Sequence, residues 1–235
     1  MPIRLRIVPL GNRLVRTLLL ATLTALCLTA YAQEQKILPL DEAAKDRSWV
    51  SFRNRLLDAL QKHDRKFLVS VLDRNVRNGT EGERGIAAFR QQWDLASDAS
   101  PLWRELPSAL FLGAAYMKRD KGQELCAPYL LARWPADIDP FGHGAVVAKE
   151  TAVKSEPASA SNTLAVLSYD IVPVLDWDVG DREVESPQRW VKVRAREGEG
   201  YVPEEHIRSP IEHAACFVKG PNGWRMVAFA PAGGE

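Results

Sequence analysis

The residues of this 235-residue chain best suited to covalent or metal chemistry are three cysteines and four histidines. Cys126 stands in the run ELCAPY, with His143 and His213 downstream, so a cysteine–histidine pair that attacks a peptide carbonyl is one candidate chemistry. A thiolate nucleophile needs a helix N-terminus or nearby positive charge to lower its pKa. ELCAPY supplies Glu124 before the cysteine and Pro128 after it. Hydrolysis through Cys126 therefore ranks as the alternative reading. His206 and His213 are seven apart among Glu204, Glu205 and Glu212, without the short fixed spacing of metal ligands on one element. Solvated surface histidines are the simpler reading. The sequence holds no GxSxG, HExxH, P-loop, GxGxxG or CxxC motif, and no cofactor or metal is expected.

The redox setting of the cysteines is read from the N-terminus. Arg4, Arg6, Arg13 and Arg16 precede an apolar run over residues 17–30, and Ala30 and Ala32 flank Tyr31. A basic head, a short apolar stretch and an A-x-A ending describe a secretory signal peptide over residues 1–32, cleaved after Ala32. The run is shorter than the roughly 20 residues that span a bilayer, so no stable membrane anchor is expected after cleavage. Cys27 follows Leu26, not a small residue, which argues against lipidation. Cleavage removes four arginines and no acid and leaves 27 basic against 30 acidic residues, a net charge of −3. That balance argues against nucleic acid as partner, since phosphate backbones reward dense positive patches. The expected location is periplasmic or secreted. Cys126 and Cys216 remain, and in an oxidising compartment they can pair, or they can be two separate buried thiols.

These residues must be positioned by the elements around them. Residues 33–45 form a polar leader without a clear period. Trp49, Phe52, Leu56 and Leu60 recur at helical spacing behind Asp46 or Ser48 as caps. Phe67, Leu68, Val71 and Leu72 repeat the pattern behind Asp64, as do Ile86, Phe89 and Trp93 after a turn-rich loop. Ser100 and Pro101 open a further apolar run, within which Pro107 should bend or break the helix; Gly113 stops it. Residues 46–135 thus read as a mainly helical module and 136–144 as a linker. From residue 145 the period changes to two, and five short strands with polar turns suggest a small all-β barrel over 145–210. Residues 211–235 repeat the grammar of a hairpin, HAACFVK–GPNG–WRMVAFA, which can pack on the helical module.

The order of VKSEPASASN, VLSYDIVPVL, WVKVRA and Gly200-Tyr201-Val202 resembles the bacterial SH3-type (Src-homology-3-like, SH3b) domain over residues 145–210. Ala152-Val153-Lys154 stands where that family often has Asn-Val-Arg, and residues 178–189 are an insertion in a variable loop. The run from Phe52 to Trp93 is similar to the helical opening of nuclear-transport-factor-like cone domains, which also end in a hairpin. That second likeness implies that the barrel is an insert and that Cys216 returns beside Cys126.

The expected fold class is α+β: a helical N-terminal module, a small all-β SH3-like barrel and a C-terminal β-hairpin. Tyr169, Trp177, Trp190 and Tyr201 lie in the barrel region and are the ligand-binding candidates, because peptide ligands dock on aromatic shelves. Packing is the competing role, with Trp190 the foremost core candidate. The function expected is that of a non-enzymatic SH3-domain protein that binds a peptide, a peptidoglycan stem or an envelope protein. The alternative is a cell-envelope cysteine hydrolase using Cys126.

Overall fold

The computed structural model describes residues 35–79, 84–120, 122–182 and 188–232. The expected signal peptide and residues 183–187 of the acidic loop lie outside them. The described chain builds two sheets. The first has five strands in the order β1-β12-β11-β3-β2, namely β1 Leu72–Arg77, β2 Ala115–Arg119, β3 Gly122–Ala127, β11 His213–Gly220 and β12 Gly223–Pro231. The second has seven, in the order β10-β4-β7-β8-β9-β5-β6. These are β4 His143–Val146, β5 Thr151–Lys154, β6 Thr163–Leu167, β7 Ile171–Gly180, β8 Arg189–Ala195, β9 Gly198–Pro203 and β10 Ile207–Arg208. The second sheet is thus inserted between β3 and β11 of the first.

Five α-helices accompany the sheets: α1 Arg47–Gln61, α2 Arg65–Val71, α3 Ile86–Gln92, α4 Leu102–Phe111 and α5 Leu130–Arg133. Asp46 caps α1 by accepting hydrogen bonds from the Ser48 and Trp49 backbone N–H groups. The apolar face of α1 then buries Trp49, Phe52, Leu56 and Leu60. Trp49 meets Phe217 and Trp224 edge-on, each at 5.0 Å between ring centroids, and so joins the helix to the β11–β12 hairpin. Ser100 Oγ accepts from the Leu102 N–H at the start of α4. The helix continues through Pro107 with the loss of one rung, where a bend or break was expected.

The expected fold class is overturned. Residues 46–135 are not a helical module, since they hold three of the five strands of the first sheet. The misleading stretch is 64–77, whose apolar spacing continues past the helix end. Val71 ends α2, and Leu72 and Val76 are then buried four apart on a strand, not a helix. A spacing of four fits a strand as well as a helix, and the exposed Arg74 between them removes the alternation that marks a strand. Nor does the second sheet close into a barrel. Its end strands are β10 and β6; β10 pairs with β4, which begins at His143 in the expected linker. The long β7 pairs β4 through Ile171, Val172 and Pro173, then β8 from Val174 to Gly180, with register shifts that bend it. The result is an open, bent sheet around a core of Val153, Val172, Val191, Val193 and Val202.

Glycine is required at two positions. Gly113 has φ +81°, and a Cβ there would stand 2.5 Å from the Leu40 carbonyl oxygen. A Cβ on Gly200 would meet Val153 Cγ1 at 2.5 Å and the Lys154 carbonyl oxygen at 2.7 Å, where β9 crosses β5. The leader is also structured. The Ile37 N–H donates to the Tyr169 carbonyl, Tyr129 Oη donates to the Ile37 carbonyl, and Lys36 pairs with the buried Asp170 at 2.7 Å. Burial among these groups pushes the Tyr129 hydroxyl up to about 12. Further along, Glu42 binds the Tyr116 N–H and Arg133. The leader therefore straps the start of β7 to the first sheet.

Candidate binding cleft

A cleft of about 830 Å³ opens between α4 and one end of the second sheet. On α4, Leu102, Leu106, Ala109 and Leu110 face the core, which leaves Arg104, Glu105, Ser108 and Leu112 to line the cleft. The facing wall is assembled from Trp177 of β7, Gln188 and Arg189 at the start of β8, Glu204 and Glu205 in the 3-10 turn Glu204–His206, and Ile207 of β10. Arg208, Glu212 and His213 complete the lining between the two walls.

Two linked pairs hold this part of the cleft in place. The Arg208 side chain is only 12% exposed, lies 3.3 Å from Glu212 and donates to the His213 carbonyl at 2.8 Å. Glu212 also accepts from the Ser209 N–H at 2.8 Å. Burial raises the Glu212 carboxyl above its ordinary value, against the pull of Arg208, and the Glu105 and Glu204 carboxylates push the same way as burial. Burial likewise lowers Arg208. The second pair is His213 Nδ1 with Glu105 Oε2 at 2.6 Å, which ties the start of β11 to α4. The His213 ring sits edge-on to Trp93 and beside Phe229, so an aromatic wall fixes its plane.

The four aromatic candidates do not converge. Trp177 lines the cleft, with its ring over Gly144, where a Cβ would come within 2.9 Å of it. Trp190 is buried but stands apart from the Val191–Val193–Val202 cluster. By alternation it shares a face with Lys192 and Arg194, and its indole N–H donates to Asp181 at 2.8 Å. Tyr201 is half-buried on β9, in register with Lys154 on one side and Lys192 on the other. Tyr169 sits in the β6–β7 turn with φ +63°, its carbonyl engaged by Ile37. Glu105, Arg104 and Arg208 did not stand out in the sequence. His213 and Glu212 did, as weak metal candidates, and His213 also as a candidate partner of Cys126.

Cys126 and Cys216 are bonded to each other and face one another across β3 and β11. Both are buried, with Ala228 and Met117 around them. The Glu124 carboxylate lies close to the two sulfurs, but Arg77 engages both its oxygens, at 3.0 and 2.6 Å. With both sulfurs in the bridge and the carboxylate paired, this cluster offers a metal no open ligand set. No described helix is long and apolar enough to cross a membrane. Comparison with protein-family models, with curated proteins and with solved structures returned no match.

Proposed function

We propose that the protein is a secreted or periplasmic binding protein that holds a peptide, a peptidoglycan stem or a segment of an envelope protein in the cleft between α4 and the second sheet. The observation that carries this reading is the cleft itself. It offers the Trp177 ring among opposed charges held in place by the Arg208–Glu212 and Glu105–His213 pairs, the mixture that gives a polar ligand both contact area and orientation. The Cys126–Cys216 bridge supports an oxidising compartment, and the signal-like N-terminus supports export. The resemblance of residues 145–210 to bacterial SH3-type sequences supports peptide recognition by this segment of the chain. The cysteine-hydrolase alternative draws no support from Cys126, whose sulfur is bonded and buried.

Co-sedimentation with purified peptidoglycan tests the cell-wall version. Retention of the wild type, with loss in Trp177→Ala, supports binding in the cleft. Absence of wild-type retention overturns the cell-wall ligand, and retention unchanged in Trp177→Ala moves binding away from the cleft.

A further inference from the structure

The charges of the cleft are not evenly engaged. Three arginines and four glutamates line it. Arg208 is taken by Glu212, Arg189 by Asp178 outside the lining, and Glu105 by His213. Glu205 accepts one hydrogen bond, from the Gln188 amide. Glu204 has no ion pair among the described residues, and Arg104, 82% exposed, makes only a loose 4.0 Å contact with Glu105. Two weakly engaged carboxylates therefore stand side by side on the 3-10 turn, and one weakly engaged guanidinium stands on α4, lining the same cavity.

Resting on the binding reading above, we infer that the cleft is selective for zwitterionic peptide segments: a primary ammonium taken by Glu204 and Glu205, and a neighbouring carboxylate taken by Arg104. An anionic ligand would meet Glu204 and Glu205 unscreened, and a purely cationic one would leave Arg104 without a partner. Trp177, in the same lining, gives the ligand's carbon chain an apolar surface and a π face that also favours a cation. A peptide with a basic side chain next to a free carboxylate has this charge order.

The test is a titration of the purified, isotope-labelled protein followed by NMR, with the Trp177 indole as reporter. Four acetylated tripeptides serve as probes: Ala-Lys-Ala with a free carboxylate, the same peptide as amide, and Ala-Ala-Ala in both forms. The Lys acid is expected to bind tightest, with about a fivefold loss when either charge is removed, the scale of one partly exposed ion pair. In E204Q/E205Q the Lys and Ala acids should bind alike, and in R104Q the Lys acid and amide should bind alike. These are exposed positions, and unchanged backbone spectra confirm the fold. Equal binding of all four peptides overturns the zwitterion selectivity but leaves the cleft reading standing. Shifts absent with every probe overturn the selectivity too; if Trp177→Ala also leaves peptidoglycan retention unaltered, the cleft reading falls with it.

Discussion

Opening the Cys126–Cys216 bridge should cost the fold much of its stability, and the size of the loss follows from chain length. The two cysteines are 90 residues apart. In the chain-entropy model, closing a loop of that length removes about 15 cal/mol/K from the unfolded state, or about 4.6 kcal/mol at 25 °C. The folded unit runs from Gln35 to Glu235. At about 2.1 cal/mol/K of unfolding entropy per residue, the same loss lowers Tm by about 11 °C. The native sheet should barely change, because Ala215 still pairs with Ala127 and Phe217 with Leu125 on either side of the bridge. The assay compares urea unfolding of the oxidised protein with that of protein reduced in denaturant and refolded in reductant. Alkylation and mass measurement count free thiols in both. The midpoint should fall with the slope rising, since the reduced unfolded chain exposes more surface. A loss below about 1 kcal/mol would refute the loop argument. Two labelled thiols in the unreduced protein would refute the bridge itself.

Gly200→Val should destabilise by about 2 kcal/mol or more, since the added atoms collide with Val153 and the Lys154 carbonyl between adjacent strands; a urea midpoint equal to wild type would contradict the close approach of β9 to β5. The acid limb of stability should carry a contribution from Asp46. Its carboxylate is held below the ordinary 3.8 by the Ser48 hydroxyl, then by Lys219. A carboxyl depressed in the folded state contributes stability above its unfolded pKa and loses it as pH falls through the folded value. Asp46→Asn should therefore flatten the dependence of stability below about pH 4 without changing its slope near neutrality; an unchanged acid limb would exclude the contribution.

Legibility of the fold varied with how strictly each element keeps its period. Helix α1 was readable because its apolar residues recur at three and four behind an aspartate cap, and tertiary packing rewards that face. Strands β8, β9, β11 and β12 were readable because short apolar runs flank polar turns, where Gly198 and Gly223 adopt positive φ. Strand β1 was not, since Leu72 and Val76 stand four apart, a spacing shared by helix and strand, and the polar Arg74 between them hides the alternation. The open second sheet was hidden for another reason: a barrel and an open sheet share the same alternation, and what distinguishes them is that β10 and β6 stand at the two ends of the strand order. The cleft was least legible. It combines Glu105 with His213 and Trp177 with Arg104, pairs that no local spacing connects. Trp190 shows the limit of reading burial from residue type: it is buried as expected of a large ring, yet on the side of Lys192 and Arg194.

The placement of β1 has a consequence for the order in which the molecule can assemble. Among the described strands its partner in the sheet is β12, through pairs such as Leu72 with Met226, so the first sheet cannot be completed until that strand is present. The second sheet, by contrast, takes all its strands from the span His143 to Arg208 and has mostly short-range pairings. A chain emerging from its N-terminus would therefore finish its middle first, while α1, α2 and β1 wait with their apolar faces uncovered. Long-range closure of this kind slows folding, and the waiting surface is the part exposed to aggregation. The newly made protein thus depends on its final 25 or so residues in a way that the compact native state conceals.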